Sequence, residues 1–167
     1  MFNVSVLDQQ SDELINRFNR LEVRNAGAPP LSQTSRGGAI MLDVSDIDLQ
    51  HKELIAKFNL LNEAVRLRAP RDKIYLQIDE IISYTRLHFA AEEEVMKASG
   101  YPMLEAHQAK HRELIQDSLR LKGKLNHIGE EMFTDWLEHW PFSRVLAHIQ
   151  YADRQLEDHI FNGGGKV

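Results

Sequence analysis

From residue 45 onward, apolar residues recur at three- and four-residue steps, a spacing that predicts helices rather than strands. Between Ser45 and Leu67 the stripe is Leu54, Ile55, Phe58, Leu61 and Val65, with His51 on the same face. Ser45-Asp46-Ile47-Asp48 supplies a capping-box pattern at its start. A second helix is predicted from about Asp72 to Ala98, with the stripe Ile74, Ile78, Ile81, Thr85, His88 and Glu92. Pro70 precedes it and Gly100 follows it. Pro102 opens a third helix running to about Lys124 and carrying Leu104, His107, His111, Leu114 and Leu121. Glu130 to Trp140 reads as a short helix, and Pro141 opens or kinks a last one ending near Phe161. Four apolar-faced helices joined by short connections predict an all-α, antiparallel up-down four-helix bundle over residues 41–163, with a frayed tail at 164–167.

The first 40 residues read as an extension. Residues 23–40 (VRNAGAPPLSQTSRGGAI) are rich in Gly, Pro, Ser and Ala and predict a flexible linker. Before them, Val4–Leu21 repeats Val44–Leu61 at an offset of 40, with ten of eighteen positions identical. Both copies keep a Ser-x-x-Asp start and a Leu-Ile-x-x-Phe-Asn core, but Ser11 stands where the second copy has His51. An additional N-terminal helix over about residues 5–22 is therefore predicted. One expectation is that it packs on the bundle or on a partner chain. The sharper one is that it replaces the Val44–Leu61 helix, within one chain or as a domain swap in a homodimer.

Composition narrows the chemistry. The chain has 167 residues, enough for one domain with a sizeable core. A net charge of -5 argues against nucleic acid as the main partner. No stretch is apolar for long enough to span a membrane, and no signal peptide is visible, so a cytoplasmic protein is expected. The absence of cysteine excludes disulfides, thiolate zinc sites, iron–sulfur clusters and cysteine nucleophiles. Any metal must be held by nitrogen and oxygen.

Such ligands are present in a pattern: His51, His88-x3-Glu92, His107-x3-His111 and His148-x4-Asp153. On a helix, residues i and i+4 stack on one face. A single pair of this kind is a weak signal, since exposed helices often carry one. Here each cluster continues the apolar stripe of its own helix, so all seven side chains are directed at the core. Leaving such groups there without partners costs about 1–3 kcal/mol each. Five imidazoles and two carboxylates are more than one ion needs and suit two metals sharing the carboxylates. The five-residue step from His148 to Asp153 is poor for an ideal helix. Either Asp153 reaches round from the flank, or the turn widens into a π-bulge. Of the Glu92-Glu93-Glu94 run, only Glu92 shares the face of His88, and the other two are expected to be solvated. His127, His139 and His159 lack paired spacing and read as surface or packing residues. Trp136 and Phe133 read as core.

These residues resemble the hemerythrins. The matching segments are Ile47-Asp48-Leu49-Gln50-His51-Lys52-Glu53-Leu54, Tyr84-Thr85-Arg86-Leu87-His88-Phe89-x2-Glu92-Glu93-x2-Met96, Gly100-Tyr101-Pro102-x4-His107-x3-His111 and His148-Ile149-x3-Asp153. The likeness spans about residues 41–163, and the bacterial branch is the most similar. It implies a non-haem centre of two Fe ions (Fe2+/Fe3+) that binds O2 reversibly, as a carrier, store or sensor rather than an enzyme. Carried over, His107, His111 and His148 hold one iron, and His51 and His88 hold the other. Glu92, Asp153 and an oxo or hydroxo group bridge them. The two-histidine iron keeps a position open, where O2 takes two electrons and sits as a hydroperoxide in a pocket that includes Ile55 and Val145.

The family's usual Trp-Leu lead into the last helix is here Arg144-Val145, which leaves a roomier or wetter pocket. Ferritin-like O2-activating enzymes lean on carboxylates with Glu-x-x-His pairs, a pattern this chain lacks. Weak oxidase- or peroxidase-like side activity is compatible with the residues. A second reading is a di-iron redox or regulatory module whose iron or O2 state changes oligomer or partner binding through the N-terminal copy.

Overall fold

The computed structural model describes residues 44–125, 127, 129 and 142–161. All of the ordered elements among them are helical: α1 (Val44–Arg66), α2 (Arg71–Ser99), α3 (Leu104–Leu125), α4 (Phe142–Ala147), a π-helical turn (His148–Asp153) and α5 (Arg154–Phe161). The backbone stays helical at Ala147 and Arg154, so α4, the π turn and α5 form one continuous rod. The sequence stripes set these bounds to within a residue or two. At the start of α3, Pro102 and Met103 sit in a turn and the helix begins at Leu104. The predicted N-terminal helix and linker, the helix at Glu130–Trp140, the tail, His139, Trp136 and Phe133 lie outside the described residues.

Consecutive helices pack on one another, α1 on α2 and α2 on α3, as short connections require. Two of the connections close in the same way. At the end of α2, Gly100 adopts a left-handed conformation (φ 63°), its N–H donates to Lys97 O, and Tyr101 N–H donates to Met96 O. At the end of α1, Arg68 N–H donates to Val65 O and Ala69 N–H to Ala64 O, with Arg68 at φ 52°. Both are Schellman closures, for which glycine is the residue without a Cβ penalty.

The apolar stripes meet in one main cluster. Leu54, Ile55, Phe58 and Leu61 of α1 face Ile74, Ile78, Ile81 and Ile82 of α2, with Leu114 and Leu125 of α3 and Val145, Leu146 and Ile149 from the last rod. Burying a side chain of this size contributes about 1.5–3 kcal/mol, so this cluster dominates the stability of the fold. The surface ties are ion pairs: Lys57 to Glu80 at 2.6 Å, Lys122 to Asp79, and Arg144 to Glu113 at 2.9 Å and to Asp117. Exposed pairs of this kind contribute little each. No described helix is long and apolar enough to cross a membrane.

Candidate metal centre

Beside the apolar cluster the core turns polar. His51, His88, Glu92, His107, His111, His148 and Asp153 are all buried, none more than 6% exposed. The structure thus brings together all seven residues that the sequence singles out. α1 supplies His51, α2 supplies His88 and Glu92 one turn apart, and α3 supplies His107 and His111. The π turn begins at His148 and ends at Asp153. Widening this turn puts two residues five apart onto one side of the rod, which settles between the two geometries expected for that step.

The ligand atoms fall into two overlapping groups. Glu92, His107, His111, His148 and Asp153 each offer an atom within 4.8 Å of the others, and so do His51, His88 and Asp153. Asp153 belongs to both, and its two oxygens divide between them. Oδ1 lies 3.2 Å from His107 Nε2 and 3.1 Å from His148 Nε2, while Oδ2 lies 3.2 Å from His51 Nε2. Glu92 Oε2 is 3.2 Å from His111 Nε2, 3.6 Å from His107 Nε2 and 4.0 Å from His88 Nε2. Metal–ligand bonds of about 2.1 Å at right angles put neighbouring ligand atoms about 3.0 Å apart. Most of these separations are close to that edge length.

The unused valences make the stronger test. The Nε2 atoms of His88, His107, His111 and His148, both oxygens of Glu92 and Oδ1 of Asp153 are buried and make no aligned hydrogen bond. Two buried hydroxyls on the same helices are satisfied by their own backbone. Thr85 donates to Ile81 O at 2.8 Å, and Ser118 donates to Leu114 O at 2.8 Å. Nitrogens and oxygens left open in the core and converging, in each group, within 4.8 Å of one another are donors that fit metal ions.

Electrostatics point the same way. Burial and the charge of His51 push His88 down to about 3. Burial likewise takes His148 to about 4, against the opposing pull of Asp153. Burial also acts on His107, but Asp153 and Glu92 outweigh it and raise this imidazole to about 9. His51 is raised against its burial by the hydrogen bond and charge of Asp153, with help from Glu92 and Asp48. Burial alone would raise Asp153, but His148, His107 and His51 hold it well below the usual carboxylate range. Without metal, the carboxylates thus draw protons onto one imidazole in each group. A cation placed there replaces those protons.

Three residues outside the seven hold the imidazoles in place. His111 Nδ1 donates to Glu93 Oε1 at 2.9 Å, and Gln108 Nε2 donates to Glu93 Oε2 at 2.7 Å. Glu93 is therefore not simply solvated, as its spacing suggested, but fixes the outer nitrogen of His111. His88 Nδ1 donates to Gln50 Oε1 at 3.2 Å. Such outer partners set which ring nitrogen faces the metal. Phe89 stacks on His111 with ring centroids 3.7 Å apart and planes 3° from parallel. Its place one residue after His88 signals its proximity to the site, whereas the partners of Glu93 and Gln50 lie on other helices.

A cavity of about 10 Å³, room for roughly one water, lies at the His51 side of the site. Ile47, Val95, Leu156 and Ile160 form its apolar wall, with His51, Glu92, Asp153 and Glu157 opposite. Ile55 and Val145 are buried in the main apolar cluster and are not among these walls. Arg144 is an exposed ion-pair partner of α3, so its charge stays on the surface. His127 is exposed in a turn. His159 donates to Ser99 O at 3.1 Å and packs against Tyr101, a packing role as expected.

A helical bundle with a buried, converging set of histidines and carboxylates defines a metal-binding helical protein. The comparisons place it more closely. The model of the hemerythrin HHE cation binding domain matches residues 42–162. The chain is 34% identical over 123 residues to a bacteriohemerythrin of Stenotrophomonas maltophilia, covering 71% of this chain and 78% of the relative. It is 34% identical over 112 residues to one of Methylococcus capsulatus, covering 67% and 84%. It is 31% identical over 102 residues to one of Pseudomonas paraeruginosa, covering 59% and 65%. No solved structure gives a significant match. The chain belongs to the hemerythrin family, a family of di-iron O2-binding proteins.

Proposed function

We propose that this protein binds O2 reversibly at a centre of two iron ions held in an antiparallel four-helix bundle. The observation that carries the reading is Asp153, whose two oxygens face separate groups of histidines. His107, His111 and His148 would hold one ion, and His51 and His88 the other. Asp153 and Glu92 would join them. A bound iron pair supplies the electrons for reversible O2 capture.

The chain's own residues account for the rest. Three histidines and two shared carboxylates crowd one end. The other end has two histidines and faces the cavity at His51, so a small ligand would approach the centre from that side. Ile47, Val95, Leu156 and Ile160 make that space apolar, which disfavours water and charged products. Ile55 lies one turn from His51 on the same helix and Val145 one turn before His148, and they back the site from the apolar cluster. Glu93 and Gln50 hold the Nδ1 protons of His111 and His88, so each ring presents Nε2 to the centre. Asp48 and Glu157 flank His51, all three lying within 4.8 Å of one another.

The test is a visible spectrum of the iron-loaded protein, reduced without air, then exposed to O2, then purged with argon. A charge-transfer band that appears with O2 and fades on purging supports reversible binding. A direct passage to a stable oxidised spectrum overturns it in favour of redox chemistry.

A further inference from the structure

The repeat at residues 4–21 takes on meaning once α1 is seen in place. Four of the ten identities, at Leu54, Ile55, Phe58 and Leu61, are α1's contribution to the main apolar cluster. Any amphipathic helix would keep apolar character at such positions. It would not need to keep the polar contacts, yet three of these are identical and a fourth keeps its charge. Gln50, which accepts from His88 Nδ1, is matched by Gln10. Glu53, which accepts from the Tyr84 hydroxyl at 2.9 Å, is matched by Glu13. Buried Asp48 is matched by Asp8, and Lys57, paired with Glu80, by Arg17.

Several differences fall on the other side. Leu49 and Leu60 are 59% and 63% exposed, and the copy has Gln9 and Arg20 there. Exposed Ala56 is matched by Asn16. The copy therefore retains most of the face that touches α2 and the last rod, and it replaces the three exposed apolar residues Leu49, Ala56 and Leu60 by polar ones. Two buried positions differ: Ile47 is matched by Leu7, which stays apolar, and His51, fully buried among the metal-facing groups, is matched by polar Ser11.

We infer that residues 4–21 and α1 compete for one slot in the bundle, with metal selecting α1 through His51 and metal loss admitting the copy from the same or a second chain. The inference rests on the metal reading above. The two occupants match in most of their packing, so His51 is the main source of preference, through its contact with Asp153 in the metal-free fold and more strongly through a bound metal. A ligand shifts such an equilibrium by its differential affinity for the two states. Serine is a poor substitute for imidazole, so the metal disfavours the state holding Ser11. Residues 22–43, between the copies, can span about 70 Å when extended, twice the length of α1 at about 34 Å, so the exchange needs no break in the chain.

The experiment counts metal per full-length chain. The wild type should hold about two irons and His51→Ser about one. The double variant Ser11→His, His51→Ser should return to about two, because the copy then carries the missing imidazole. Adding Ile15→Asp, which spoils only the copy's packing, should remove the rescue. A double variant that keeps the wild-type helical signal in circular dichroism but stays at one iron overturns the exchange. If His51→Ser alone still holds two, the assignment of His51 as a ligand fails and the metal-selected exchange falls with it. A second readout avoids histidine variants. In metal-free full-length protein, Ile15→Asp should slow amide hydrogen exchange across residues 47–61 by disabling the competitor, and equal rates overturn the proposal. Light scattering on the rescued variant separates use within one chain from loan to a second chain, and both support the shared slot.

Discussion

The two ends of the site use the same ligand types to different effect. Around His107, His111 and His148 the three imidazole rings crowd together, with centroids 4.5–4.8 Å apart. Phe89 stacks against one of them, and a charged carboxylate, Glu93, anchors its outer nitrogen. Around His51 and His88 there are two rings, a neutral anchor in Gln50 and a cavity. On the proposed reading, the first end would hold its metal more firmly and the second would hold one beside a small open space. Asp153 belongs to both, so the difference arises from the helices rather than from the bridge.

Removing the shared element should have the largest effect. Asp153→Ala should abolish loading at both ends, taking iron content from about two per chain to near zero by elemental analysis. Retention of one tightly held iron would mean that the ends are independent. Next come the single-end variants. His51→Ala should leave about one iron and no O2-dependent band. His107→Ala should weaken the better-built end and, with it, the site's overall retention of iron against a chelator. Smaller again are the outer anchors. Glu93→Gln should lower metal affinity by about 10- to 100-fold and Gln50→Ala by less, because a charged acceptor makes its imidazole the stronger ligand. Equal losses in a competition titration would erase the distinction drawn between the ends.

The pH dependence should show where the ends agree. In metal-free protein His107 titrates near 9, so below that pH an incoming metal must displace its proton. Affinity should therefore fall as pH falls, by about tenfold per unit for each proton displaced. The raised imidazole of His51 gives the second end the same sign. By the same shift, the metal-free fold has His107's contribution to stability below the ordinary histidine pKa and loses it as pH rises through about 9. A metal titration that releases no protons between pH 6 and 8 would contradict this account.

Much of this was legible in the residue order. The stripes located α1, α2 and α3, since tertiary packing used the faces that the apolar spacing marks. The pairs His88/Glu92 and His107/His111 could be read because i and i+4 meet within one helix, whatever the rest of the fold does. The step from His148 to Asp153 left two geometries open, and the structure takes the π turn. The spacing along α2 misplaces Glu93 for a definite reason. Its offset of about 100° does turn it away from the face of Glu92, but toward α3, where His111 needs an acceptor. The role of Gln50 is hidden from the sequence in the same way, as its partner lies on α2. Spacing along one helix cannot say which neighbour occupies the space beside it.

The π turn also has a consequence for the rod's phasing. It takes up one residue more than an α-helical path between the same two ligands would need. Deleting a residue among Gln150, Tyr151 and Ala152 would shorten His148-x4-Asp153 to an ordinary i, i+4 pair. Both ligands and the phase of α5 could then survive on a straight helix. Straightening the rod at full length would instead rotate everything after the ligand by about 100°. Leu156 and Ile160 would swing away from the space beside His51, and the wall would go with them. The extra residue thus acts as a phase setter, and the shape of the cavity depends on it as much as the aim of the carboxylate does.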